Sequence, residues 1–306
     1  MKRRLQTALA ALLFAVSLPL AAPTWASSAL EKAEQAYDQG DYAAAFEWYR
    51  RAADEGDPMA LTNLGVMYDF GIGVAEDDRE AAKWYRRGGE QGDRIAQNYL
   101  GEFYEWGIGV EEDHVEAARW YRLSAEQGFA RPQSNLGNLY QLGMGVREDA
   151  GEAMVWFLLA AAQGDGDAQY NLGYMYREGW GVEQSDEHAL AWFRLAAQSG
   201  DHLGQHYLAG MVLEGRGTDP DPAEAARWYR ASAEQGYSKA QIELGKLYEV
   251  GRGLPQDRVA AYMWYSLAEA QGDRYAKALR PGLAEKLTAA EIAKAERRAE
   301  AWLAEF

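Results

Sequence analysis

A pair of aromatic residues that begins with tryptophan recurs every 36 residues along most of this chain. The seven pairs are Trp48-Tyr49, Trp84-Tyr85, Trp120-Tyr121, Trp156-Phe157, Trp192-Phe193, Trp228-Tyr229 and Trp264-Tyr265. No insertion or deletion interrupts this period, which lies in the range typical of stacked repeats. Because each repeat in such a protein contacts mainly its neighbours, the sequence predicts a solenoid and not a domain that closes around one core.

Two sets of glycines recur with the same 36-residue period. One glycine precedes each new repeat, at Gly56, Gly92, Gly128, Gly164, Gly200, Gly236 and Gly272. A G-x-G lies inside each repeat, at Gly71/Gly73, Gly107/Gly109, Gly143/Gly145, Gly179/Gly181, Gly215/Gly217 and Gly251/Gly253. Glycine ends helices and allows the backbone of tight turns, so each repeat is predicted to be two helices joined by a short loop.

The repeat at residues 57–92 shows the expected signals in order. Asp57 can cap a first helix, and Gly71 can end it. Asp77 or Asp78 can cap a second helix. Apolar residues recur between these signals at spacings of three and four, which is typical of a helix with one buried face. We therefore predict two helices of about 12–14 residues in each repeat.

Glycine also stands in the middle of most predicted first helices, at Gly65, Gly101, Gly137, Gly173 and Gly245. A glycine inside a helix costs roughly 1 kcal/mol relative to alanine. A cost repeated in this way indicates close packing, which we expect to involve the aromatic pair of a neighbouring helix. The repeat that begins at Asp201 has Ala209 at this position and the loop sequence GTDPDP, so we expect looser packing in it.

The two ends of the array differ from its middle. Residues 27–56 predict an N-terminal helical hairpin that lacks the G-x-G loop, and residues 57–272 predict six complete repeats. Residues 273–306 predict capping helices, the last of which begins at a capping box of Thr288 and Glu291. Such ends are expected in a solenoid, because its terminal faces have no neighbour to cover them.

The first 26 residues have a different composition. Lys2-Arg3-Arg4 precede an apolar run from Leu5 to Ala22, and small residues lead to a cleavage point after Ala26. This pattern predicts a secretory signal peptide, so we expect the mature protein in the periplasm or secreted, with no membrane insertion after cleavage. The alternative is an uncleaved membrane anchor, which Pro19 disfavours.

The overall charge excludes several classes of ligand. The formal net charge is −16, and the chain has no cysteine. An acidic protein lacks the basic surface that nucleic acids and anionic membranes require, so no nucleic acid partner is expected. Without cysteine the chain can form no disulfide bond and can use no thiolate as a nucleophile or metal ligand.

The pattern A-x-x-x-L-G-x-x-Y-x-x-G-x-G-V, followed by an alanine-rich helix with the tryptophan pair, resembles the Sel1-like repeat, a relative of the tetratricopeptide repeat. The resemblance covers residues 28–306. It implies an all-α fold, a right-handed α-solenoid of antiparallel helix pairs with a concave groove lined by the first helices. Members of this family are mostly adaptors and regulators, and many are exported by bacteria. A cysteine-rich secreted branch is credited with penicillin binding and weak hydrolysis, but this chain lacks its cysteines.

Positions that face the groove follow from the same resemblance, and they vary between repeats while the framework stays constant. Aromatic and amide side chains among them suit peptide or glycan recognition. Two of the rings, Phe70 and Trp106, could instead pack under the G-x-G loops. The candidate partner-binding residues are Phe70, Glu102, Trp106, Asn138, Gln141, Tyr170, Tyr174, Arg177, His206 and Lys246.

No motif in the chain predicts catalysis or a cofactor. His202 and His206 stand four residues apart on one predicted helix, but without a third ligand they are interpreted as surface histidines and not as a metal site. The G-x-G pairs follow no strand and so do not predict a nucleotide loop. No serine nucleophile motif occurs. We therefore expect no catalytic residue, no metal and no cofactor.

Three functions remain open from the sequence. The leading hypothesis is an exported scaffold that binds a protein or peptide in its groove, in envelope regulation or signalling, and that is not an enzyme. The alternative is a protein that binds cell-wall glycan or muropeptide, with weak β-lactamase-like hydrolysis. The third is a structural or chaperone-like role that uses the acidic outer surface.

Overall fold

The computed structural model describes residues 28–305, so the predicted signal peptide at residues 1–26 lies outside the described residues. The described part holds sixteen helices and no strand. The chain divides into two compact units, Met1–Ala153 and Met154–Phe306. The helices of the first unit are α1 (Ser28–Asp38), α2 (Tyr42–Asp54), α3 (Pro58–Phe70), α4 (Asp78–Glu90), α5 (Arg94–Trp106), α6 (His114–Glu126) and α7 (Ala130–Leu142).

One helix, α8 (Ala150–Ala161), contains the boundary between the units. The helices of the second unit are α9 (Gly166–Glu178), α10 (Asp186–Gln198), α11 (His202–Glu214), α12 (Pro222–Glu234), α13 (Ser238–Val250), α14 (Arg258–Ala270), α15 (Arg274–Ala284) and α16 (Ala289–Glu305). Within each unit, helices that follow one another in sequence pack against each other. The all-α fold of repeated antiparallel helix pairs is therefore confirmed.

The predicted helix ends are confirmed in the repeat at residues 57–92. The side chain of Asp57 accepts hydrogen bonds from the backbone N–H groups of Met59 and Ala60, at 2.9 and 3.2 Å. Gly71 adopts the left-handed conformation with φ of 64° and ends α3. Asp77, and not Asp78, caps α4. Local side-chain chemistry thus sets the length of both helices.

Two first helices begin without a side-chain cap. Phe129 precedes α7 and Tyr237 precedes α13, and neither side chain accepts a hydrogen bond from the helix. Both positions carry a ring where the other repeats have aspartate, so each gives up a cap that is typically worth about 1 kcal/mol.

The glycines in the middle of the first helices lie directly against the second ring of each aromatic pair. A Cβ atom added to Gly101 would lie 2.5 Å from Cδ1 of Tyr121, and one added to Gly173 would lie 2.6 Å from Cδ1 of Phe193. Gly245 meets Tyr265 in the same way. The predicted close packing is confirmed, and it is the tyrosine or phenylalanine, not the tryptophan, that fills the space.

The second glycine of the G-x-G lies directly against the preceding repeat at Gly73, Gly109, Gly145, Gly217 and Gly253. Gly217 has φ of 73°, and a Cβ atom added to it would lie 2.6 Å from the carbonyl oxygen of Asp186, at the start of α10. Gly109 would overlap the carbonyl oxygen of Asp78 in the same way. No other residue offers both this backbone conformation and this close approach.

The loop after α11 keeps these turns despite its different sequence. Gly215 is left-handed and ends α11, and Asp221 caps α12. Arg216 donates two hydrogen bonds to Asp186, at 3.1 and 2.6 Å, and so ties the loop to the preceding repeat. The looser packing expected in this repeat stays a prediction.

A column of buried glutamines links the repeats, and the sequence analysis did not detect it. Its members are Gln97, Gln133, Gln169, Gln205 and Gln241, spaced by 36 residues. The Nε2 group of Gln97 donates to the carbonyl oxygen of Gly89 at 3.0 Å, and its Oε1 accepts from Nε2 of Gln127 at 2.8 Å. One side chain thus bonds both the preceding and the following second helix. The constant spacing of these glutamines was the signal that could have revealed the column.

The last helix begins at the predicted capping box. The backbone N–H of Thr288 donates to Oε2 of Glu291 at 2.8 Å, and the N–H of Glu291 donates to Oγ1 of Thr288 at 3.3 Å. The helix that begins there, α16, packs against α14, where the rings of Trp264 and Trp302 lie 6.5 Å apart. The apolar side of the last repeat is therefore covered.

Replacing Gly101 with alanine is expected to destabilise the first unit. The added methyl would overlap the buried ring of Tyr121, and such overpacking typically costs about 1–3 kcal/mol, which exceeds the gain in helix propensity. Gly282→Ala, in α15, is the matched control because no atom lies within 4 Å of its added Cβ. Urea unfolding followed by circular dichroism measures both variants, and equal midpoints would contradict this packing.

Candidate partner-binding faces

The first helices of the six complete repeats carry the predicted groove positions. They are α3, α5 and α7 in the first unit and α9, α11 and α13 in the second. We call the surface formed by α3, α5 and α7 the first-unit face, and the surface formed by α9, α11 and α13 the second-unit face. The two faces differ in chemistry, because the first is mainly polar and the second is mainly aromatic.

The centre of the first-unit face is a network of polar side chains. Oε1 of Glu102 accepts hydrogen bonds from Nε of Arg131 and Nδ2 of Asn98, both at 3.0 Å. Asn98 and Ser134 are each only 3% exposed. Glu102, predicted to bind a partner, is therefore already held by two neighbours. Two further predicted residues of this face, Asn138 and Gln141, are half-buried.

The two rings predicted on this face take different positions. Phe70 is half-buried and packs against the apolar cluster around Val66 and Phe103, which Ile72 of the first G-x-G loop also contacts. Trp106, the last residue of α5, is 69% exposed, and Leu142, at the same position of α7, is 65% exposed. These two exposed side chains are the largest apolar contribution of the first-unit face.

Several acidic residues at groove positions bind the framework tyrosines. The hydroxyl of Tyr121 donates to Oε2 of Glu105 at 2.5 Å, and the hydroxyl of Tyr265 donates to Oε2 of Glu249 at 3.2 Å. Tyr85 and Asp69 form the same pair, again 16 residues apart and at 3.2 Å. Burial raises the pKa of Glu105, although the hydrogen bond from Tyr121 opposes that shift. These carboxylates support the rings, a role that the sequence analysis did not assign.

Among the framework tyrosines of the six complete repeats, Tyr229 is the exception. The residue 16 positions earlier is Leu213, which has no acceptor. No hydrogen bond of the Tyr229 hydroxyl occurs among the described residues, and a Cβ added to Gly210 would lie 3.3 Å from that oxygen. The hydroxyl therefore reaches the second-unit face beneath Gly210 with its donor unused.

The second-unit face brings three predicted residues into one aromatic cluster. The ring of Tyr170 lies 5.4 Å from that of Tyr207 and 6.3 Å from that of Tyr174. The guanidinium of Arg177 lies 4.4 Å from the ring centre of Tyr207 and 4.9 Å from that of Tyr174. Arg177 also forms an ion pair with Glu178 at 2.6 Å. Cation–π contacts of this kind fix the guanidinium over the rings.

His206 extends this cluster and is not a surface histidine, which corrects the sequence-based interpretation. Its ring lies 5.3 Å from Tyr207, 5.4 Å from Tyr229 and 5.1 Å from Tyr237. Burial, with weaker contributions from nearby cations, lowers the pKa of His206 to about 4. In the described part of the chain no three potential ligands gather in a metal-binding group.

Lys246 lies one repeat further along the second-unit face. Its Nζ pairs with Glu243 at 2.7 Å and lies 4.8 Å from the ring centre of Tyr275. Tyr207 and Tyr237 were missed by the sequence analysis. A tyrosine at position 237, where other repeats have a capping aspartate, was the available signal.

The Sel1 repeat matches seven consecutive segments, residues 33–57, 58–93, 94–129, 133–165, 166–201, 202–237 and 238–273. The chain belongs to the Sel1 repeat family. The first matching segment, residues 33–57, overlaps the hairpin at residues 27–56 that the sequence predicted to be an incomplete repeat and ends one residue beyond it. Within residues 28–305 of this Sel1 repeat chain, no helix is both long and apolar enough to cross a membrane.

Solved structures of Sel1 repeat proteins resemble this chain. A Sel1 repeat protein from Oxalobacter formigenes shares 30% identity with a TM-score of 0.74, over 79% of this chain and 97% of its own. A protective antigen of uropathogenic Escherichia coli, which has the same repeat fold, shares 31% identity with a TM-score of 0.57, over 90% of this chain and 68% of its own. The comparison with curated proteins found no match.

Replacing Tyr121 with phenylalanine is expected to destabilise the chain by about 1–3 kcal/mol, because the half-buried Glu105 carboxylate would lose its donor. Tyr229→Phe is the matched control, since its hydroxyl bonds no described residue, and its effect is expected within about 0.5 kcal/mol. Urea unfolding compares the two variants. Equal losses in both would show that the cost of removing the hydroxyl does not depend on the hydrogen bond to Glu105.

His206 is expected to make folding sensitive to acid. Its pKa is lower in the folded chain than in the unfolded chain, so its stabilising contribution is complete above pH 6.5 and is lost as the pH falls towards about 4. From pH 7 to 4.5 the wild type should lose about 2–3 kcal/mol more than His206→Phe. Urea unfolding at both pH values tests this, with the exposed His188→Phe as control. Parallel losses in all three proteins would disprove it.

Proposed function

We propose that this chain is an exported scaffold that binds a protein or peptide partner through its first-helix faces, in envelope regulation or signalling, without a covalent step. The observation that carries the proposal is the contrast between a constant framework and varied faces. Aromatic pairs, glycines and buried glutamines repeat every 36 residues. The corresponding face position holds Val66, Glu102, Asn138, Tyr174, Gly210 and Lys246 in turn.

The exposed side chains on these faces are of the kind that partners bind. Trp106 and Leu142 are largely exposed on the first-unit face, and Val250 is exposed on the second. Tyr174 and Arg177 are half-buried beside one another. Tryptophan, tyrosine and arginine are enriched among the residues that dominate binding energy in protein interfaces.

Two observations support export. The first 26 residues have the composition of a signal peptide, and one structural relative is a protective antigen of a pathogenic bacterium. A scaffold in the cell envelope would meet its partner outside the reducing cytoplasm, where a chain without cysteine is insensitive to the redox state.

The tyrosines of the second-unit face were the reason for the alternative, which is binding of cell-wall glycan or muropeptide with weak hydrolysis. Sugars bind well to open ring faces, but the rings of Tyr170, Tyr174 and Tyr207 pack against one another. Arg177 covers two of them. Less ring surface is therefore left for a sugar, and a peptide is the better fit.

Photo-crosslinking in the cell envelope tests the proposal. A crosslinking residue is placed at Trp106, Leu142, Glu178 or Val250, which are exposed ends of first helices, and at Arg87 on a second helix as control. We expect a discrete protein band from at least one first-helix site and none from Arg87. Labelled glycan instead would favour the alternative. Equal products from Arg87, or a hydrolytic activity lost on substituting one face residue, would overturn the scaffold.

A further inference from the structure

A gap in the second-unit face lies at Gly210. The same position carries a side chain in the neighbouring repeats, Tyr174 on α9 and Lys246 on α13. Beyond its own helix, a Cβ atom added to Gly210 would approach only the hydroxyl oxygen of Tyr229, at 3.3 Å. We call the space above this hydroxyl the Gly210 gap. It leaves the room that a side chain occupies in the two neighbouring repeats.

The base of the Gly210 gap is a polar atom without a described partner. Tyr229 is only 4% exposed, and its hydroxyl forms no hydrogen bond with any described residue. A tyrosine hydroxyl can accept as well as donate a hydrogen bond. An apolar side chain placed over it would leave both capacities unused in a water-free site, which is unfavourable. The gap therefore suits a polar group that bonds this oxygen.

The charges that act most strongly on this hydroxyl are negative. Burial raises the pKa of Tyr229, Glu243 and Glu214 raise it further, and Arg252 opposes them weakly. Glu214 lies four residues after Gly210, on the same side of α11, and Glu243 lies on α13. The two carboxylates thus come from the two first helices on either side of α12 in the chain. They favour a cationic group in the gap.

Glu214 is available to a partner. It is the last residue of α11, it is exposed, and it forms no ion pair with any described residue. The cation nearest to it in sequence, Arg216, donates two hydrogen bonds to Asp186 instead. The C-terminal end of a helix also carries a partial negative charge. Both the carboxylate and the helix end therefore attract a cation.

Carboxylates outnumber cations over the second-unit face as a whole. Its three helices carry the five carboxylates Asp167, Glu178, Glu214, Glu243 and Glu249 and the three cations Arg177, Lys239 and Lys246. Two of these cations, Arg177 and Lys246, already form ion pairs. The third, Lys239, lies about two helical turns before Lys246 on α13. Charge complementarity therefore selects for a basic partner.

We propose that the Gly210 gap binds a lysine side chain of a partner protein. The lysine ammonium is held by Glu214, Glu243 and the hydroxyl oxygen of Tyr229. An ammonium has three N–H donors and no acceptor, which matches these three acceptors. The lysine stem is apolar and packs against the protein while its charged end stays beside the carboxylates. This inference rests on the proposed function and adds the chemistry of the partner.

The existing pair of Glu243 with Lys246 does not prevent this binding. The two side chains are 33% and 36% exposed and lie 2.7 Å apart. Partly exposed ion pairs of this kind contribute only about 0–1 kcal/mol. Glu243 can therefore share its carboxylate with a second ammonium at small cost.

Amino-acid analogues test the inference on the mature full-length chain. The probe is Nα-acetyl-lysine N-methylamide, and the readout is the chemical shift of backbone amide signals of the isotope-labelled protein. Lysine should shift the signals of Gly210 and Glu214 in a saturable way, with weaker binding at higher salt. The norleucine analogue, which lacks the ammonium, and the glutamate analogue should bind at least about tenfold more weakly. Equal binding of lysine and norleucine, or no saturable shift with lysine, would overturn the proposal.

Protein variants locate the binding. Glu214→Gln removes a carboxylate and Gly210→Leu fills the gap, so each should reduce lysine affinity about tenfold. Glu187→Gln is the matched control, because it removes an exposed carboxylate from α10 in the same unit, and it should leave the affinity unchanged. Circular dichroism melting confirms that each variant folds. An equal loss in Glu187→Gln would show unspecific attraction and contradict the site.

Tyr229→Phe separates lysine binding from folding stability. This variant is expected to unfold like the wild type, yet it removes one of the three acceptors, so lysine affinity should fall about fivefold. Unchanged affinity would remove the hydroxyl from the site. If the lysine analogue fails to bind while crosslinks from Glu178 or Val250 still yield a protein band, this inference falls and the scaffold function stands.

Discussion

The contact between a glycine in the middle of each first helix and a ring on the second helix determines the rest of this structure. The ring of Tyr121 lies where a side chain at position 101 would be, so the two helices approach more closely than bulky side chains allow. That approach places the hydroxyl of Tyr121 at the end of α5, where Glu105 accepts its hydrogen bond. One packing constraint therefore also decides which groove positions carry structural carboxylates.

This dependence explains a correlation along the chain. Framework tyrosines at positions 85, 121 and 265 have an acidic residue 16 positions earlier, whereas phenylalanines at 157 and 193 are preceded there by Gln141 and Arg177. A phenylalanine has no hydroxyl to donate, so a buried carboxylate beside it would lack a partner. Where the second ring is phenylalanine, the residue on the face need not accept a hydrogen bond from it. Arg177 can therefore cover the rings of Tyr174 and Tyr207 instead.

The sequence predicted the helices well because their signals are local. Asp57 and Gly71 act on residues within one turn, and the capping box at Thr288 spans three positions. The glutamine column was not predicted, because each of its hydrogen bonds joins residues 8 or 30 positions apart. The burial of His206 depends on Tyr237 from the next repeat, and the burial of Phe70 depends on its cluster. The sequence could predict which positions lie on a face, but the contacts of those side chains depend on residues of neighbouring repeats.

Departures from the repeat framework are concentrated around Tyr229, and this concentration argues for function. Ala209 carries a methyl where other repeats have glycine, so the ring of Tyr229 cannot take the position that Tyr121 and Tyr265 occupy. Leu213 removes the acceptor, Gly210 opens the surface above the hydroxyl, and Tyr237 replaces a capping aspartate. Together these changes leave the Tyr229 hydroxyl without a described acceptor, in a cluster of rings that includes His206 and Tyr237. Places where a sequence breaks its own structural rules are expected to be functional sites, which makes the second-unit face the strongest candidate for partner recognition.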